Sequence, residues 1–216
     1  MSSECTLFFA GLCDREKQLT GWLDHQRPPS YWLTGFYNPQ GFLTAAKQEI
    51  TRRHPYLARQ AGESSKEDSK WSLDNVSLIT EVTDYLVTNI GKIGRSKDEN
   101  KLDGVYIHGL FLEGCSWDRK DNKVFLLRDT NPVNPRELYT AMPVLFIRAE
   151  TNDVVKTYYT SGPQKEYNWY QCPVYTRPKR SDQSLIKHFK IALRSHRADP
   201  PEKWVLRGVA LLCSRE

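Results

Sequence analysis

No window of this chain approaches the roughly 20 apolar residues that a membrane-spanning helix needs. Its start, Met1-Ser2-Ser3-Glu4-Cys5, lacks the basic stretch of a secretory leader. These absences lead to the expectation of an intracellular protein with no membrane partner. Cysteine is scarce as well, with five thiols at positions 5, 13, 115, 172 and 213 and no C-x-x-C pair. An odd, scattered set indicates neither a disulfide frame nor a zinc knuckle, and buried free thiols are expected. Nor is there a strong excess of one charge: the net +5 over 216 residues is met by a mildly basic, solvated surface. A phosphate loop is missing too. The nearest imitation, Ile90-Gly91-Lys92-Ile93-Gly94-Arg95-Ser96-Lys97, has the wrong spacing and no strand-to-helix pattern around it.

What is present suits a packed globular protein. Hydrophobic residues make up 39% and charged residues 26%, too apolar for wholesale disorder. From Asp14 to Gln26, Leu19, Trp22 and Leu23 follow helical spacing after a capping aspartate, and Pro28-Pro29 ends the run. A second helix is signalled by Asn38 as cap, Pro39 at the first helical position, and a stripe of Phe42, Leu43, Ala46 and Ile50. Arg52, Arg53 and His54 then complement the C-terminal end of its dipole. Between these helices Tyr31, Trp32 and Phe36 are placed to wedge them against a neighbouring surface.

Residues 61–70 carry no large apolar side chain and read as an exposed linker. Downstream, β-branched and aromatic runs alternate with turn residues at about 76–83, 104–112, 123–127, 142–149, 170–176, 187–194 and 208–213. Residues 91–101 and 151–169 read as loops, and Pro201 opens a turn of helix that leaves Trp204 to pack. The fold expected is α+β: amphipathic helices over 1–60, a linker over 61–72, and a small antiparallel β-barrel of about six strands over 73–216.

The stretch 103–118, Asp-Gly-Val-Tyr-Ile-His-Gly-Leu-Phe-Leu-Glu-Gly-Cys-Ser-Trp-Asp, is apolar on both parities. Val105, Ile107 and Phe111 share one and Tyr106, Leu110 and Leu112 the other, so a single strand here needs cover on both faces. Phe111 is then expected in the core. The same stretch offers His108, Cys115 and Asp118 as a base, nucleophile and acid, but seven extended residues place the histidine and the thiol roughly 23 Å apart. A satisfied core histidine is expected instead. Glu113 with Asp118 as paired acids, and His188 with His196 as metal ligands, have no supporting third group. Arg177-Pro178-Lys179-Arg180 reads as a solvated basic loop, Asn75-Val76-Ser77 as a chance glycosylation triplet, and Trp117-Asp118 lacks a propeller repeat. No catalytic, cofactor-binding or metal-binding residue is assigned.

The words Asp103 to Gly114 and Ser116-Trp117-Asp118 resemble the C-terminal domain of axonemal dynein heavy chains. Other matches follow in order: Tyr31-Trp32-Leu33-Thr34-Gly35-Phe36, Gln40-Gly41-Phe42-Leu43-Thr44, Glu137-Leu138-Tyr139 with Met142-Pro143, and Tyr170-Gln171-Cys172-Pro173-Val174-Tyr175. Last come Trp204 and Arg207-Gly208-Val209-Ala210-Leu211-Leu212-Cys213. Cys115 stands where the family often has alanine, and Asn131-Pro132-Val133-Asn134-Pro135 replaces a shorter turn.

The resemblance implies a non-catalytic module of a helical segment and a small barrel, packed on the AAA+ ATPase ring of the same heavy chain. The parent would be a minus-end-directed microtubule motor of the ciliary or flagellar axoneme. Its ATP and magnesium sites, its microtubule-binding stalk and its contacts with intermediate and light chains belong to other parts of a heavy chain. No such residue carries across. Exposed aromatic residues are expected wherever the ring would cover this module. The alternative from the residues themselves is a nucleic-acid-binding β-barrel, which needs aromatics together on one basic face. A free-standing enzyme is the weakest reading.

Overall fold

The computed structural model describes residues 3–25, 28–60, 71–86, 88, 90, 104–118, 123–126, 143–153, 155, 167–194 and 201–214. Most of the expected linker, the phosphate-loop imitation beyond Ile90, the 131–135 segment, the match from Glu137 to Met142, and His196 lie outside these residues.

Helix α1 spans Ser3–His25 and α2 spans Pro39–Gln60. Both exist as expected, but α1 begins eleven residues before Asp14. Residues 4–13 contain no proline and one glycine, so nothing in them stops helix propagation. Asp14 is therefore not a cap but an interior residue, 3.7 Å from Lys17 one turn on. The second helix starts where its signals lie: Asn38 Oδ1 accepts the Gly41 N–H at 2.8 Å, and Leu43, Ala46 and Ile50 are buried. It does not end at His54. Pro55 removes one N–H, and the helix continues to Gln60.

The strands are β1 (Tyr31–Trp32), β2 (Val76–Leu86), β3 (Gly104–His108), β4 (Phe111–Glu113), β5 (Cys115–Asp118), β6 (Lys123–Leu126), β7 (Pro143–Thr151), β8 (Tyr167–Tyr175), β9 (Leu185–Arg194) and β10 (Ala210–Leu212). A short helix, α3 (Pro201–Leu206), precedes β10 and buries Trp204, as its proline start implies. Eight strands form one sheet in the order β1-β3-β7-β2-β9-β8-β10-β4, and β5 pairs with β6 alone.

This corrects the expectation of a purely antiparallel barrel of about six strands. The sheet is mixed: β1 lies parallel to β3, β2 to β9, and β10 to β8. A parallel pair needs a long crossover, and the return through β9 and α3 supplies one between β8 and β10. Among the described residues no ladder joins β4 to β1 or β3, so hydrogen bonds do not close the sheet. The covalent backbone nevertheless brings its ends together, because only Gly109 and Leu110 separate β3 from β4.

That two-residue break also explains the doubly apolar stretch. In β3 the odd positions Val105 and Ile107 are buried, whereas in β4 and just before it the even positions Leu110 and Leu112 are. Gly109, at φ +95°, switches the parity. A β-carbon there would come within 2.6 Å of the Trp32 ring, so glycine suits both the backbone angle and the space. One strand covered on two faces is thus two strands, each with one inner face. Phe111 is only partly buried, contrary to its expected core position.

The central core runs from Leu43 and Ala46 of α2 through Ile107, Leu112, Leu145, Ile147, Val174 and Ile191 to Trp204 and Leu211. Strand β7 shows why it forms: Leu145, Ile147 and Ala149 turn inward while Phe146, Arg148 and Glu150 stand between them, the period-2 pattern of a strand. Among the described residues no helix is long and apolar enough to cross a membrane.

Candidate functional site

The residues with chemical potential in 103–118 are occupied by packing. His108 sits at the end of β3, where its Nδ1 lies 2.9 Å from the hydroxyl of buried Ser30. Burial lowers its pKa to about 4, so the ring is neutral at neutral pH. This is the satisfied histidine expected from sequence. Cys115 is fully buried in β5, and desolvation, then the nearby Cys172, holds its pKa well above the ordinary thiol value. A protonated, enclosed thiol is a poor nucleophile. The Asp118 side chain lies outside the described residues, as does any pairing of it with Glu113. His188 is exposed, and no group of three metal-ligating side chains occurs among the described residues.

Glu113 has a different partner. Arg180 Nη2 lies 2.5 Å from its Oε2 and donates to the Gly208 carbonyl at 2.6 Å, while the guanidinium sits 5.6 Å from the Tyr175 ring centre. One arginine thereby joins β4, the β8–β9 connection and the turn after α3. Gly208 has φ +63°, the left-handed turn that brings its carbonyl to Arg180. Only Arg177 and Lys179 of the basic run are exposed, so the expected solvated loop holds for those two and fails for Arg180. Sequence spacing gave no signal for a contact 67 residues long. Tyr170 reinforces the same corner by donating its hydroxyl to the Val209 carbonyl at 2.7 Å.

The remaining feature is a surface. Along α1, Phe8, Phe9 and Leu23 are 59%, 55% and 87% exposed, and Leu19 and Trp22 are also exposed. Phe8 and Phe9 pack edge to face on each other with centroids 5.7 Å apart. The helix is fastened through its second half. Gln18 mimics a strand, accepting the Trp32 N–H at 2.7 Å and donating to the Trp32 carbonyl at 3.3 Å. Trp22 packs on Tyr31, ring centres 5.3 Å apart, and Arg15 lies over Tyr37. Of the three aromatics expected to act as a wedge, Tyr31 and Phe36 pack with Phe42 of α2 and fasten the elbow to that helix, whereas the Trp32 ring lies against Gly35 and Gly109. The charged residues of α1 are Glu4, Asp14, Glu16 and Asp24 against Arg15 and Lys17. The exposed aromatics therefore lie on an acid-leaning helix, not on the basic face that stacking of nucleic-acid bases requires.

The family model for the C-terminal domain of dynein heavy chains matches residues 2–213. The protein belongs to this family. It is 37% identical over 213 residues to dynein axonemal heavy chain 5 of Mus musculus, a match covering 99% of the present sequence and 4% of that protein. The dynein gamma chain of the flagellar outer arm of Chlamydomonas reinhardtii is 34% identical over 208 residues, and the ciliary dynein beta chain of Tripneustes gratilla 33% over 208. In each case the match spans about 4% of the relative's length.

Within this dynein domain the family words fall on packing points. Tyr31 to Phe36 forms the elbow between α1 and α2, Gly104 to Asp118 forms β3, β4 and β5, and Val174 and Tyr175 pair with Leu211 and Leu212. The resemblance is thus carried by residues that hold the dynein domain together.

Proposed function

We propose that this dynein domain is a non-catalytic structural and regulatory module, packing on the AAA+ ring of its own heavy chain in a minus-end-directed microtubule motor. The motor works in the axoneme of cilia or flagella, where intermediate chains, light chains and microtubules are reached through the parent complex. The observation that carries the reading is α1: a 23-residue helix fastened through its second half while Phe8, Phe9, Leu19, Trp22 and Leu23 are exposed. An apolar face of this kind marks a contact surface. The match to about 4% of the length of axonemal, flagellar and ciliary dynein heavy chains supports reading that surface as a contact within such a motor. Contact rather than chemistry also fits the neutral, bonded His108 and the enclosed Cys115.

The test is made in the complete heavy chain, by replacing Phe8 and Phe9 together with serine. Loss of two apolar anchors loosens the module from the ring, and microtubule gliding velocity per ATP hydrolysed changes by about twofold or more. Unchanged coupling, with the module equally resistant to protease in both motors, overturns the reading.

A further inference from the structure

The connection between β8 and β9 presents a serine to solvent directly after its basic run. It reads Thr176-Arg177-Pro178-Lys179-Arg180-Ser181-Asp182-Gln183-Ser184, and Ser181, like Arg177 and Lys179, is exposed. The connection is ordered from within by Ser184, which is buried. Its Oγ accepts the Ser181 N–H at 2.9 Å and faces the Lys179 and Ser181 carbonyls at 3.1 and 2.9 Å. The Thr176 N–H closes the base by donating to the Ser184 carbonyl at 2.8 Å.

The three cations of the run do not share one role. Arg180 is turned inward, with Nη2 on Glu113 and on the Gly208 carbonyl, so its charge is matched inside the domain. Ser181 has extended backbone, φ −144° and ψ 161°, and in an extended chain successive side chains leave on opposite sides. With Arg180 drawn inward, the Ser181 side chain points outward, in keeping with its exposure. Arg177 and Lys179 stand outside with it, four and two residues before the serine, and Asp182 follows it.

We infer that Ser181 is a phosphorylation site for a protein kinase directed by basic residues, and that Arg177 and Lys179 are the residues such an enzyme reads. An exposed hydroxyl, extended backbone at the serine and cations at two set positions upstream complement an acidic substrate cleft. The step is a phosphoryl transfer. The Ser181 hydroxyl oxygen attacks the γ-phosphorus of a nucleoside triphosphate, the bond from that phosphorus to the bridging oxygen breaks, the nucleoside diphosphate leaves, and the hydroxyl proton passes to the base of the kinase. The product carries close to two negative charges. Arg177 and Lys179 outweigh Asp182 before the reaction and no longer do so after it, so the outward charge of the turn changes sign. Arg180 stays on Glu113, because it leaves the chain on the other side. This site is independent of the α1 surface and of the module's place on a ring.

The experiment treats the folded 216-residue protein with magnesium ATP and the catalytic domain of a kinase that selects basic residues before serine, and locates the phosphate by mass spectrometry. A kinase that selects acidic residues is the control. Phosphate is expected at Ser181 with the first enzyme and not with the second, and Ser181→Ala removes it. Arg177→Gln combined with Lys179→Gln lowers kcat/KM at Ser181 by about tenfold or more, while near-ultraviolet circular dichroism shows that the fold is native. The phosphorylated protein keeps its urea midpoint, since Arg180 does not leave Glu113. No phosphate at Ser181, phosphate there only after unfolding in urea, or an equal rate in the Arg177 and Lys179 double variant overturns the site. A lowered urea midpoint after phosphorylation overturns the assignment of the new charge to Arg177 and Lys179.

Discussion

Arg180 closes onto Glu113 across 67 residues of sequence, with Nη2 and Oε2 2.5 Å apart and the glutamate only 5% exposed. The same nitrogen holds the Gly208 carbonyl, so the guanidinium sits where the last strand of the sheet, the loop after β8 and the turn before β10 converge. An enclosed carboxylate is tolerable only with a cation and hydrogen bonds around it, and Arg180 supplies both.

Removing one partner is therefore worse than removing both. Arg180→Ala leaves Glu113 buried and unpaired, and a loss of about 3–5 kcal/mol in urea unfolding is expected. The double variant Arg180→Met with Glu113→Leu recovers most of that loss, since well-packed apolar pairs often replace buried ion pairs without cost. Additive losses in the two single variants and their combination would remove Glu113 and Arg180 from a common network.

Gly109 sets a second expectation. Leu112 is 1% exposed and belongs to the central core, so Leu112→Ala costs about 2–5 kcal/mol. Phe111→Ala, on the other parity and partly buried, costs less than Leu112→Ala. Gly109→Ala combines a positive φ with the Trp32 ring in the way of its β-carbon, and destabilises by at least about 1–2 kcal/mol. Equilibrium unfolding of the three variants ranks them, and a larger loss at Phe111 than at Leu112 would reverse the parity assigned here.

The helix of 39–60, the alternation of β7 and the Trp204 turn were legible because each is written in local sequence: a cap, a period, a proline. The Gly109 switch was also in the sequence, as a glycine inside an apolar run, but periodicity alone reads such a run as one strand. The parallel pairings of β2 with β9 and β8 with β10 were not legible, because they depend on which edge a returning strand takes. The α1 surface was visible only as helical spacing. Leu19, Trp22 and Leu23 have the stripe of a core-facing helix, and nothing in the spacing says that Leu23 stands open while Trp22 packs on Tyr31. Gln18 and Arg180 carried no local signal at all, since their partners lie 14 and 67 residues away.

His108 makes stability depend on pH. Its folded pKa of about 4 lies below the 6.5 of a free histidine, so the unfolded state binds the proton more readily. Stability is full above about pH 6.5, falls as the pH drops through the interval, and the loss is complete below about 4. The size is on the order of 2 kcal/mol, reduced from the full shift because the ring is only partly enclosed. His108→Asn retains a hydrogen-bonding side chain toward Ser30 and flattens this slope in urea unfolding between pH 7 and 4. An unchanged slope would assign the acid sensitivity to other groups.

The exposed half of α1 separates stability from association. Phe8 and Phe9 are more than half exposed and contact each other, so their joint replacement by serine removes little buried area. Unfolding of the domain in urea should move by no more than about 0.5 kcal/mol per site. Binding of a hydrophobic dye, and any self-association of the domain at high concentration, should fall together, because both read the same apolar face. Gln18→Ala provides the opposite case: the face is intact but the helix loses its two bonds to Trp32, so amide exchange along α1 accelerates while dye binding does not fall. A large stability loss on replacing the two phenylalanines would mean that α1 is packed by its first half, and would turn this surface from a contact site into part of the core.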